Sequence, residues 1–201
     1  MTPIAYIVSR GGLLIALVSV TAFPLAAQRI NFGAYTTSQG LSLAVSGNLN
    51  FNDKQSVIAS NSNSTISIAL SDPEIQYVAI TGDATRDITV TVSSPLDLIT
   101  GAGGAGHQIP FTCQFAYSNL GSPTVAAAKA VAVQVPGGYT AVTFPILRRA
   151  GGVPAPPPTP AHGGYTPPSA TAYLFLYGSL GPVGNVSPGI YSGTVNVSVQ
   201  Y

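Results

Sequence analysis

The sequence predicts an all-β protein, an antiparallel β-sandwich with Greek-key connections. Three observations carry that reading. Apolar residues recur at every second position in short runs, as in Ile88, Val90 and Val92 or Val195, Val197 and Val199, which gives a strand one buried and one wet face. Turn residues punctuate these runs at a spacing of roughly 8 to 12 residues. Helical periodicity is almost absent, and no repeat of fixed period points to a solenoid or propeller.

Taken in order, the chain opens with Arg10, the apolar run Leu13 to Val20, and Pro24-Leu25-Ala26-Ala27. That is the charged, apolar and small-residue order of a secretory signal peptide, with cleavage expected after Ala27, so residues 1–27 form a leader. A retained anchor needs about 18 or more apolar residues, and Ser19, Thr21 and Pro24 interrupt this run. No second run long enough to span a bilayer follows, so the mature chain is expected outside the cell or on its surface, meeting the membrane only during export.

Arg29 to Gly33 reads as a short extended piece, and Leu41, Leu43 and Val45 alternate with Ser42, Ala44 and Ser46 soon after. Asn48 to Phe51 is the next predicted strand, followed by a polar loop around Ser60 to Ser64. Ile66, Ile68 and Leu70 alternate until Asp72-Pro73, because proline cannot continue a ladder. Gln76 to Ile80 runs to a predicted turn at Thr81-Gly82-Asp83, and the Ile88 to Val92 strand is closed by Pro95.

The glycine-rich stretch Gly101 to Gly106 precedes a strand from Phe111 to Tyr117. Ala126 to Ala130 reads equally as a helical turn or as the lead-in to a strand through Val131, Val133 and Val135. Pro136-Gly137-Gly138 then turns the chain into a strand from Tyr139 to Leu147, predicted to pair with its predecessor as a hairpin. Residues 150–168 carry Val153-Pro154-Ala155-Pro156-Pro157-Pro158-Thr159-Pro160, expected to be an exposed, stiff, partly polyproline loop. Tyr173 to Tyr177 is apolar on both faces, as a central strand covered on two sides would be. The strands after the proline-rich loop are too few for a second core, so residues 48–201 read as one domain.

The final run, Tyr191, Val195, Val197, Val199 and Tyr201 alternating with polar residues, is a core strand. Its second neighbour is expected to come from earlier in the sequence or from another molecule.

Composition narrows the function classes. Only 6% of the 201 residues are charged, against roughly 25% in ordinary soluble domains, so hydroxyls and amides are expected to cover the surface. Without Arg10, six basic residues face six acidic ones, which gives no steering toward nucleic acid or anionic lipid. Cys113 is the single cysteine and can form no intrachain disulfide; an apolar strand around it makes it a small core residue.

A search for chemistry finds little. Gly101, Gly103 and Gly106 match the glycine spacing of a dinucleotide loop, but a strand follows where phosphate binding requires a helix N-terminus. His107 and His162 lie in glycine-rich loops without carboxylates at ligand spacing. Asp72, Glu74, Asp83 and Asp87 read as turn caps and surface acids. The sequons at Asn63, Asn185 and Asn196 matter only in a glycosylating host. The expectation is a non-enzymatic protein with no metal and no cofactor.

The ending Ser187-Pro188-Gly189-Ile190-Tyr191-Ser192-Gly193-Thr194-Val195-Asn196-Val197-Ser198-Val199-Gln200-Tyr201 resembles the close of secreted bacterial proteins related to spore coat protein U and to archaic chaperone-usher pilins. Leu49-Asn50-Phe51 and the turn Ile80-Thr81-Gly82-Asp83-Ala84 are similar to a bacterial secreted pilin-like domain family of unknown function, over about residues 48 to 201. The proline-rich loop and the unpaired Cys113 depart from the pilin pattern.

The resemblance implies a pilin-like, immunoglobulin-like sandwich completed by a donor strand, a form of strand addition. It further implies a subunit of a surface fibre or coat, with self-association into a homopolymer and, during export, a periplasmic chaperone and an outer-membrane usher. Residues 28–47 are the candidate arm, with Ile30, Phe32, Leu41, Leu43 and Val45 as the side chains that would fill successive pockets. Tyr191, Val195, Val197, Val199 and Tyr201 mark the strand that would receive them. The same alternation suits an ordinary first strand in cis. Two rival functions are a monomeric module binding carbohydrate through the loops Gly101–His107 and Val153–Pro168, with Tyr165 among its aromatics, and a hydrolase built on the scattered acids.

Overall fold

The computed structural model describes residues 29–32, 36–37, 40–55, 63–101, 103–148 and 168–201. The segment expected to be a leader, most of the loop at Ser60 to Ser64 and the proline-rich loop up to residue 167, with His162 and Tyr165, lie outside the described residues.

Among the described residues the regular structure is mostly strand, in the order β1 (Arg29–Phe32), β2 (Thr36–Thr37), β3 (Ser42–Val45), β4 (Leu49–Asn50), β5 (Ile66–Ile68), β6 (Gln76–Asp83) and β7 (Asp87–Ser93). There follow β8 (Asp97–Ile99), β9 (Gln108–Ser118), β10 (Val133–Gln134), β11 (Ala141–Pro145), β12 (Ser169–Leu180) and β13 (Ser192–Gln200). Two short helical pieces, α1 (Phe51–Lys54) and α2 (Val125–Ala130), interrupt them. The all-β expectation therefore stands.

Hydrogen bonding runs along one open path, β11-β7-β13-β8-β9-β12-β6-β3, and every neighbouring pair on it is antiparallel. The path folds back on itself in a sandwich-like way, because its two halves bury their alternate residues in one core. Val78 and Ile80 of β6, Leu174 and Leu176 of β12, and Phe115 of β9 share that core with Ile88 and Val90 of β7 and with Val195, Val197 and Val199 of β13. Tyr117 of β9 stacks on Phe144 of β11 with ring centroids 4.2 Å apart, which ties the halves together directly. Each such fully buried aliphatic or aromatic side chain stabilises the fold by about 1.5–3 kcal/mol relative to exposure.

β12 lies between β9 and β6 and is covered on both faces, as its sequence predicts. Leu174 and Leu176 point one way, Phe175 and Tyr177 the other, and all four are buried. α2 packs on β12, with Ala128 fully buried. This helix begins where Thr124 Oγ1 accepts the Ala127 N–H at 3.2 Å, and it is anchored where Lys129 Nζ donates to the carbonyls of Ser71 and Asp72. The alanine run is thus a helix, and of the valine run Val133 and Gln134 pair with β9, where Val135 N also donates to Phe115 O at 3.0 Å.

Three local expectations are corrected. The hairpin between the Val131 and Tyr139 segments does not form: β10 pairs with β9, whereas β11 pairs with β7, since Phe144 is drawn onto Tyr117. The turn expected at Thr81-Gly82-Asp83 falls at residues 84–86 instead, where Asp83 Oδ1 accepts from Thr85 N at 2.9 Å and from Thr85 Oγ1 at 2.7 Å. The Asn48 to Phe51 strand stops at Asn50, whose Oδ1 accepts the Asn52 N–H at 3.2 Å and caps α1.

Candidate interaction surface

The sequence Thr194-Val195-Asn196-Val197-Ser198-Val199 is a run of β-branched and small polar residues, suited to a half-buried strand. β13 accordingly buries Val195, Val197 and Val199 and turns Thr194, Asn196 and Gln200 outward. Along one side it pairs with β7, setting Val197 opposite Val92 and Val199 opposite Val90, and meets β8 at Ser192 and Ile99. Along its other side lie β1 and β2, both parallel to it: Arg29 to Phe32 stand opposite Ser192 to Val195, and Thr36 and Thr37 opposite Ser198 and Val199. The second neighbour of the terminal strand is thus an earlier segment of the same chain.

Ile30 is the anchor of that seam. It is fully buried, stands opposite Gly193 and pairs on its other side with Leu49 of β4, also fully buried. Gly193, opposite Ile30, lets Leu98 and Pro95 approach from the other side of β13, since a Cβ there would lie 2.8 Å from Leu98 Cδ2 and 2.9 Å from Pro95 Cγ. Phe32 stands opposite Val195 in the ladder.

The five candidate donor residues part company after that. Leu41 and Leu43 are half-buried against the core, and β3 pairs with β6 at the far end of the path, setting Leu43 opposite Ile80 and Val45 opposite Val78. The structure therefore brings Ile30 and Phe32 to β13 and places Leu43 and Val45 on a different edge. Leu49, in the segment read from the sequence as a strand, is the residue β4 sets beside Ile30, and Phe51, fully buried, follows it at the start of α1.

Tyr191, just before β13, is buried, and that burial pushes its phenol up from the usual tyrosine range. Its hydroxyl donates to the Ser187 carbonyl at 2.7 Å, with the Gly106 carbonyl 3.4 Å away, and Ser187 N donates to Gly106 O at 2.8 Å. The glycine-rich loop is thus clamped to the approach to β13. It joins β8 to β9 by a tight turn in which His107 N donates to Gly104 O and Thr100 N to His107 O, with a strand following.

The groups capable of chemistry are dispersed. Among the described residues no three of His, Cys, Asp and Glu lie close enough to hold a metal ion. Cys113 is partly exposed and stands opposite Gly178; burial pushes its thiol up to about 12, so it is a poor nucleophile near neutrality. Asp72 accepts from Lys54 Nζ at 2.8 Å and from Ala69 N at 2.9 Å, and these two donors hold its carboxyl below the usual range. Asp83 closes the β6–β7 turn. No described helix is long and apolar enough to cross a membrane.

No family model matches the chain, and no curated protein sequence matches it.

Proposed function

We propose that this protein is a pilin-like structural subunit of an extracellular fibre or coat, exported through its leader and assembled by donor-strand complementation. The observation that carries this reading is the seam on β13. A short segment, β1 with β2, completes the sheet by edge pairing and inserts Ile30 into the core. Such a segment can be supplied by a second copy with the same contacts, which is the low-cost exchange that converts a closed fold into a chain of subunits. With cleavage after Ala27, β1 opens the mature chain.

In this reading β3, β6, β12 and β9 form one sheet of an immunoglobulin-like sandwich, β11, β7 and β13 the other, and β1–β2 the donor. A periplasmic chaperone and an outer-membrane usher would serve by covering the β13 edge until a donor arrives, because an open edge beside three buried valines invites aggregation.

A second reading follows from the closure of the seam within one chain: a monomeric secreted module that binds carbohydrate. The half-buried rings of Tyr77 and Tyr173, with centroids 6.1 Å apart on neighbouring strands, are aromatic surface of the kind sugars stack on.

The deciding experiment compares residues 28–201 with 47–201 by light scattering and negative-stain microscopy. Exchange predicts multimers or fibres that vanish without the segment, and a truncated form capped by an added peptide of its sequence. A clean monomer with the segment and an unfolded chain without it would sink the fibre reading and select the monomeric module.

A further inference from the structure

Two motifs singled out in the sequence, Ile80-Thr81-Gly82-Asp83-Ala84 and the valine-rich close, meet in space at Tyr201. Its phenol oxygen accepts the Asp83 N–H at 2.9 Å and donates to the Gly40 carbonyl at 3.3 Å. One hydroxyl is therefore used in both directions, as acceptor and as donor. The Arg86 guanidinium carbon lies 3.9 Å from the ring centroid, a cation–π contact on the same side chain.

Gly82 explains why the site needs glycine although it lies inside a strand. A Cβ there would sit 2.6 Å from the Tyr201 phenol oxygen, 2.6 Å from Leu41 Cδ2 and 2.8 Å from Ile146 Cδ1. The missing side chain is the room into which the tyrosine fits. Gly40, at φ +90°, sits between β2 and β3, where the chain leaves β13 for β6.

We infer that Tyr201 is a latch: seated in a socket made by Gly82, Asp83 and Arg86, it fixes the crossover at Gly40 and so holds β1 and β2 in register on β13. Neither the valine ladder nor Ile30 does this alone, because edge pairing without a fixed crossover leaves the register of a short strand weakly specified. Release of the β1–β2 segment then requires the phenol to let go of Gly40. That gating consequence rests on the strand-exchange reading; the latch itself does not.

The test is native-state hydrogen exchange on residues 28–201. Tyr201→Phe keeps the ring and its contact with Arg86 but removes both hydrogen bonds. Amides of residues 30–32 and 36–37 should exchange about tenfold faster, the scale set by the net worth of such bonds, while those of β6 and β12 stay protected. Gly82→Ala should loosen the same amides, and the double variant should fall short of the sum of the two. Unchanged protection over 30–32 and 36–37 in Tyr201→Phe, or an even loss across β6 and β12, would overturn the latch. Exchange is read in the monomer, so selective loosening in a chain that never multimerises would reject strand exchange and leave the latch standing.

Discussion

Gly178 sits near the C-terminal end of β12 opposite Cys113, and a Cβ there would overlap the carbonyl oxygen of Thr112. Backbone cannot move aside as a side-chain tip can, so Gly178→Ala should destabilise the protein by about 3 kcal/mol, at the upper end for overpacking, read as a lower denaturation midpoint at unchanged slope. Gly137 is the contrast, with nothing within 4 Å of its notional Cβ; Gly137→Ala should fall within about 0.5 kcal/mol of the parent. Equal effects at the two positions would show that space is not the cause. Cys113 offers a second test. Burial raises its thiol from 9.0 to about 12, so above pH 9.0 the unfolded chain loses a proton that the folded chain keeps. Stability should then fall by about 1.4 kcal/mol per pH unit from that point. Buried Tyr177 and Tyr191, both also raised, add to the decline from about pH 10, the ordinary tyrosine value. Denaturant melts between pH 8 and 10 check this: Cys113→Ala should flatten the limb, and an unaltered limb would remove the thiol as its origin.

At the scale of elements the decisive contribution is that of β1. Ile30→Ala deletes a fully buried side chain between Gly193 and Leu49, and should cost about 2–5 kcal/mol. Val45→Ala, on the edge strand β3 with 38% of the residue exposed, should cost under about 1 kcal/mol. Urea titration of the pair separates a seam that belongs to the core from an arm that merely rests on it. The same elements show what was legible beforehand. β7 and β13 could be read from their alternation because one face of each is buried, and β12 because both of its faces are. Alternation could not say which edge a strand joins: Ile30 and Leu43 carry the same pattern, yet one lies on β13 and the other on β6. Turn chemistry misled twice for one physical reason. Pro136-Gly137-Gly138 turns the chain without pairing its flanks, because the packing of Phe144 on Tyr117 decides the pairing. Gly82 looks like a turn residue but is a space reserved for Tyr201. Asp72 and Asp83 were readable as turn residues and Gly101 to Gly106 as a loop because such features are local.

Across the whole molecule, charge is nearly absent from the forces that hold the fold. Among the described residues the ion pair is Lys54–Asp72, at 2.8 Å on the surface. Solvent screens this pair, so it contributes to stability no more than an ordinary surface ion pair does. Its contribution is present between the two titrations: it fades as pH falls below 3.8 through the depressed Asp72 value, and as pH rises above 10.5 through the raised Lys54 value. Stability should therefore change little as sodium chloride rises from about 0.05 to about 1 M, where screening shortens to about 3 Å. Sodium sulfate should raise it, since exclusion from the surface strengthens apolar burial. The same reasoning reaches assembly. Copies joined through the β13 seam would be held by backbone ladders and by Ile30, so their multimers should keep their size in high salt, whereas an ionic aggregate would dissolve. Light scattering of residues 28–201 over that salt range distinguishes the two: multimers that disperse with added chloride would mean that contacts other than the seam had joined them.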